Sequence, residues 1–134
     1  MKAIILLFSL LVLGCSKNDT PKGDPNNIPQ ELIGKWKIIE VYETDGAIEP
    51  QWRNESTIYK YNIWFKNNVE YIKNEGDSYG IYELENNNLK YILTNTQNSQ
   101  VVYIENLTTD NLIIDFLNFE PYKHKYIKVS SESE

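Results

Sequence analysis

The sequence predicts an all-β domain: an eight-stranded antiparallel up-and-down β-barrel entered through a short N-terminal helical turn. From residue 35 to residue 129, short runs of alternating apolar and polar residues follow one another, with no sustained helical period. Turn-rich breaks of a few residues separate these runs, and links that short join antiparallel neighbours rather than parallel crossovers. Ten tyrosines and three tryptophans among 134 residues suit a half-buried pleated surface. Eight such strands close most simply on themselves, because closure removes exposed edges. A two-sheet sandwich is the alternative packing.

The chain begins with a segment that is not part of this domain. Met1-Lys2 is followed by an apolar run through Leu13, then Gly14-Cys15. A positive residue, a short hydrophobic core and a small residue before a break point are the parts of a secretory signal peptide. The run is short of the roughly 20 apolar residues that a membrane-spanning helix needs. Val12-Leu13-Gly14-Cys15 resembles the bacterial lipobox. That resemblance implies cleavage after residue 14, two or three acyl chains on Cys15, and a bilayer partner through them. It places the protein in the bacterial cell envelope, with the outer membrane the expected site. Each buried methylene contributes about 0.8 kcal/mol, so two chains anchor durably where one does not. Cys15 is the sole cysteine, which excludes an intrachain disulfide.

Residues 15–29 form the lipidated cysteine and a flexible tether. Ser16 to Pro29 has almost no apolar content and three prolines, a composition that does not fold. A chain of this length reaches about 20 Å. Cys15-Ser16-Lys17-Asn18-Asp19 resembles, in part, the acidic signal that follows the lipidated cysteine of Bacteroidota surface lipoproteins.

The folded domain is expected over residues 30–129. Gln30 to Gly34 reads as one helical turn with glycine as its stop. Strands follow over 35–43, 57–66, 69–73, 79–85, 89–95, 100–106, 111–119 and 122–129. Period-two alternation turns Trp36, Ile38, Tyr59, Tyr61, Ile63 and Phe65 inward. On the following strands it turns in Tyr71, Gly80, Tyr82, Leu84, Leu89, Tyr91, Leu93, Val102 and Ile104. Leu112, Ile114, Phe116 and Tyr126 complete the inner face. Val101, Tyr103, Ile113, Leu117, Ile127 and Val129 are left outside, an apolar exterior for a wet surface. Residues 130–134 are a polar tail.

Leu32-Ile33-Gly34-Lys35-Trp36-Lys37-Ile38 resembles the opening of lipocalin-like domains, whose first strand carries Gly-x-Trp. Ile63 to Asn68, Gly80 to Leu84 and Leu107 to Leu112 are similar to later strands of small bacterial lipocalin-like lipoproteins. The resemblance implies a small calycin barrel. In it Gly34 lets the backbone turn closely, Trp36 plugs the narrow end, and Lys128 lies over the indole. Thr109-Asp110-Asn111 matches the family's Thr-Asp-Tyr turn only in part. The chain is also shorter than full-sized lipocalins and has neither their disulfide nor their C-terminal helix. These departures argue against a retinoid-sized cavity.

Little in the sequence points to catalysis, metal or cofactor. The net charge is −6, and removing residues 1–14 takes away Lys2 and no acid, leaving −7. That balance disfavours nucleic acid as a partner. His124 is the sole histidine, read as a strand-surface or barrel-mouth residue between Lys123 and Lys125. With no thiol beyond Cys15, neither Cys/His metal spacing nor a Cys–His pair can be built. No Gly-x-Ser-x-Gly turn supports a serine nucleophile, and Glu70, Glu75, Asp77, Glu83 and Glu85 read as solvated acids.

The expected function is therefore binding without catalysis. Its ligand is a small, partly apolar molecule at the open barrel end, touched by Trp52, Arg53, Tyr59, Tyr61, Tyr82, Tyr91, Phe116 and Tyr126. Trp52 and Arg53 sit in the long first loop, which in lipocalins folds over the mouth. The alternatives are a protein-interaction module of an envelope assembly with a side-chain-filled barrel, and, last, a calycin-type enzyme built around His124.

Overall fold

The computed structural model describes residues 27–93 and 98–133, and of Leu93 only the backbone. The leader expected over 1–14, Cys15 and the tether as far as residue 26 lie outside the described residues. So do residues 94–97, which include the end of the strand expected over 89–95.

Nine strand segments wind in order: β1 (Gly34–Glu43), β2 (Gln51–Asn54), β3 (Ile63–Phe65), β4 (Glu70–Lys73), β5 (Ser78–Glu85), β6 (Asn88–Leu93), β7 (Ser99–Leu107), β8 (Asn111–Asp115) and β9 (Lys123–Ser130). All pairings are antiparallel, and each of β3 to β8 pairs with the next in sequence. One edge of β1 pairs with β9, which closes the barrel. Its other edge is shared: Gly34, Lys35 and Trp36 pair with β3, while Glu40 to Glu43 pair with β2. Two segments thus occupy one wall position, so nine segments make an eight-stranded closed barrel. The chain enters through overlapping turns, with Leu32 N–H donating to Pro29 O at 3.0 Å and Ile33 N–H to Gln30 O at 3.2 Å.

The strand expected over 57–66 is the main correction. Only residues 63–65 of it are extended, and residues 55–62 leave the wall. Side chains there outcompete the ladder for the backbone. Thr57 Oγ1 accepts from Tyr59 N–H, and Glu75 Oε2 accepts from Lys60 N–H. The excursion is pinned at both ends on β1, by Glu55 N–H to Ile39 O and Asn62 N–H to Trp36 O, each 2.8 Å. Tyr59 and Tyr61 are consequently half-buried outside the core rather than inward. The strand expected over 111–119 also ends early, at Asp115, whose Oδ1 accepts from Leu117 N–H at 2.8 Å; Leu117 has a φ of 54°.

The remaining alternation describes the interior well. Trp36, Phe65, Tyr71, Tyr82, Leu89, Val102, Leu112 and Ile114 are fully buried, and Ile38, Ile63, Tyr91, Ile104 and Tyr126 nearly so. Leu84 and Phe116 pack against this core half-buried. Val41 joins it although strict alternation from Trp36 points it outward. The β1–β9 register shifts between Ile38 and Glu40, and such a bulge reverses the facing of every later residue. Outside, Val101, Tyr103, Leu117, Ile127 and Val129 are exposed.

The base is closed tightly. Gly34 has a φ of +129°, and a Cβ there would collide with the Ser130 carbonyl oxygen. Trp36 Nε1 donates to Leu32 O at 2.8 Å, so the buried indole keeps its one polar group satisfied. The polar tail folds back here: Lys35 pairs with Glu132, and Trp64 Nε1 donates to Glu132 O at 2.9 Å.

Candidate functional site

At the end opposite Trp36 the barrel holds a cavity of about 170 Å³, lined by Ile38, Asn62, Ile63, Lys73, Asn74, Tyr91, Phe116, His124 and Tyr126. Strand alternation brings these together. Ile38 is the next inward position after Trp36 on β1. Lys73 lies two residues beyond Tyr71 on β4, and His124 two residues before Tyr126 on β9.

Asn62 joins three parts of the wall. Its Oδ1 accepts from Ile38 N–H at 2.9 Å, and its Nδ2 donates to Thr57 Oγ1 and Asn74 Oδ1, each 3.3 Å. Its backbone carbonyl accepts from Asn74 N–H at 2.9 Å. A side-chain amide thus replaces the strand bonds lost where residues 55–62 leave the sheet.

His124 is held from both sides. Nδ1 lies 2.9 Å from the Tyr126 hydroxyl and Nε2 lies 2.8 Å from the Tyr122 hydroxyl. Phe116 meets the ring edge-on at 4.5 Å. Burial, reinforced by the Lys73 ammonium, depresses His124 from 6.5 to about 4. At neutral pH the ring is therefore uncharged, donating from one nitrogen and accepting at the other.

Lys73 stands differently. Its Nζ lies 4.0 Å from the Tyr91 ring centre and 5.7 Å from that of Tyr71. Among the described residues it has no carboxylate partner, and burial lowers it below the ordinary lysine value. The Tyr71 and Tyr91 hydroxyls are buried and make no hydrogen bond among the described residues. Burial, then the neighbouring tyrosines, pushes Tyr91 well above its usual range.

The barrel just described is similar to the crystal structure of a lipocalin-like protein from Bacteroides uniformis ATCC 8492. The TM-score is 0.51 at 15% identity, covering 73% of this chain and 98% of that one. The fold is lipocalin-like. No family model matches the sequence, and no curated protein matches it.

This lipocalin-like barrel gathers only part of the expected ligand set. Tyr91, Phe116 and Tyr126 line the cavity. Tyr82 is fully buried nearer the base, where its hydroxyl donates to Lys66 O at 2.7 Å and its ring meets Phe65. Trp52 lies on β2 against the Tyr42 ring, centres 5.2 Å apart, and Arg53 faces Asp45 at 3.6 Å. The Tyr59 hydroxyl donates to Asp77 at 2.8 Å, and Tyr61 packs on Trp64. None of these five lines the cavity. Lys73, Asn62, Asn74 and His124 do, and Lys73 was legible: the alternation that turns Tyr71 inward turns Lys73 inward too.

A larger groove of about 590 Å³ lies at the surface between Glu43, Thr44 and residues 118–122. It is open and holds no buried polar group, so the chemistry is concentrated in the smaller cavity.

Proposed function

We propose that this chain is a lipocalin-like lipoprotein, anchored in the bacterial envelope at the outer membrane through acylated Cys15. In this reading it binds a small, partly apolar ligand within the open end of its barrel, without catalysis. The observation that carries the reading is the cavity: aromatic and aliphatic walls with a few convergent polar groups, the usual make-up of a ligand site. Its size limits the ligand. Drug-sized pockets begin at about 300 Å³, whereas a void of about 150 Å³ takes one benzene ring. Retinoids and long acyl chains are too large.

The arrangement around His124 supports binding over turnover. Both ring nitrogens are committed to tyrosine hydroxyls, and no serine or carboxylate lines the cavity beside it. A thermal-shift screen with native mass spectrometry, using one-ring aromatics and short aliphatics, tests the binding. A raised Tm with a one-to-one adduct is expected; no shift and no adduct from any compound would count against it. Incorporation of labelled palmitate, lost in Cys15→Ser, tests the anchor.

A protein-interaction role at the envelope is the second reading. Phe119 is wholly exposed and Leu117 is 56% exposed in the same mouth loop, and apolar side chains grouped at a loop tip suit a partner surface. A photo-crosslinker at position 119, at native expression, should then capture one defined protein.

A further inference from the structure

The cavity contains a cation without a counter-charge. Lys73 is half-buried, and an ammonium drawn part-way out of water is favoured by a nearby anion. Lys73 lines the cavity with its Nζ over the Tyr91 ring, and the surrounding groups supply no negative charge. His124 is held by tyrosines, Asn62 and Asn74 bond to each other, and Ile38, Ile63 and Phe116 are apolar. The cation–π contact with the Tyr91 ring offsets part of that loss but brings no negative charge.

The Tyr91 and Tyr71 hydroxyls make no hydrogen bond among the described residues but are sealed from solvent and so do not face the cavity, which leaves Lys73 as its charged group. Water filling the cavity would bring no charge to Lys73. A neutral apolar ligand would strip that water and leave the ammonium unpaired. A cation would meet Lys73 directly, and a dianion would bring one charge too many for one lysine.

We propose that the cavity takes a small monoanionic carboxylate with a body no larger than one aromatic ring, its oxygens facing Lys73 Nζ. The apolar body then packs on Ile38, Ile63 and Phe116. This inference rests on the small-ligand reading above and adds the sign of the ligand's charge.

Sodium benzoate, benzamide and sodium acetate, titrated calorimetrically into the purified full chain at pH 7, separate the possibilities. Benzoate should bind at least about tenfold more tightly than benzamide, which has the same shape without the charge, and more tightly than acetate, which has the charge without the ring. Lys73→Met, which keeps the stem and removes the charge, should abolish the preference for benzoate over benzamide. Should the methionine variant fail to fold, Lys73→Gln carries the same expectation. Equal affinity for benzoate and benzamide, or a preference that survives loss of Lys73, overturns the anion inference and leaves the small-ligand reading standing. Binding of none of the three overturns both.

Discussion

Lys128 Nζ lies 4.8 Å from the centre of the Trp36 ring and donates at the same time to Glu31 O at 2.7 Å and Ile33 O at 2.8 Å. The last strand is thereby fastened to the segment that leads into the first. Lys128→Ala removes the cation–π contact and leaves two carbonyls without this donor, so a loss of about 1–3 kcal/mol is expected. Urea unfolding measures it; a change below a few tenths of a kcal/mol would show that the clasp contributes nothing.

Gly34→Ala should destabilise the fold by ~2–4 kcal/mol, because strain at positive φ adds to collision with Ser130. Gly46→Ala is the internal comparison. Its φ is also positive, at +83°, but nothing lies within 4 Å of the added carbon, so only about 1 kcal/mol is expected. Similar losses at the two glycines would refute the close-approach explanation.

His124 makes the barrel sensitive to acid. Its folded value of about 4 lies below the 6.5 of the unfolded chain, so the unfolded state takes up the proton first. The stability it carries is fully present above pH 6.5. It declines as pH falls through that window and is gone below about 4. The full span is up to about 3 kcal/mol, less for the water that reaches a half-buried ring. Lys73, Tyr122 and Tyr126 are the titratable groups around it, and none of them changes charge in this range. His124→Gln should flatten the difference between unfolding free energies at pH 7 and pH 4.5; an unchanged slope would assign the acid sensitivity elsewhere.

Three tyrosine-to-phenylalanine changes should differ in sign. Tyr82→Phe removes a hydroxyl that donates to Lys66 O and should cost about 1 kcal/mol. Tyr71→Phe and Tyr91→Phe remove hydroxyls with no partner among the described residues, so the free protein should be unchanged or more stable by up to about 1–2 kcal/mol. Chemical denaturation of the three variants in parallel decides the matter. A loss at position 91 equal to that at position 82 would mean that ordered water already serves the hydroxyl.

The barrel was legible because its inner face follows a strict two-residue period on most strands. Trp36, Phe65, Tyr82 and Leu112 are buried as the alternation requires. Where the reading failed, side chains had taken over backbone hydrogen bonds. Thr57, Asn62 and Glu75 hold residues 55–62 out of the wall, and no local pattern distinguishes that excursion from a tyrosine-rich strand. Val41 was missed for a related reason, since one bulge resets the period. The site was less legible than the fold. Aromatic character marked Tyr91, Phe116 and Tyr126, and the alternation through Tyr71 could have marked Lys73, whereas Asn62 matters through its partners, and those become visible only once strands distant in sequence lie side by side.

Both ends of the described chain leave the barrel at its closed base, where Leu32, Gly34 and Ser130 meet. Under the proposed acylation of Cys15, an anchor would grip the molecule by its blind end, like a cup held by its foot. The rim, with Phe119, Leu117 and the way into the cavity, would then be the part turned toward the surrounding solution.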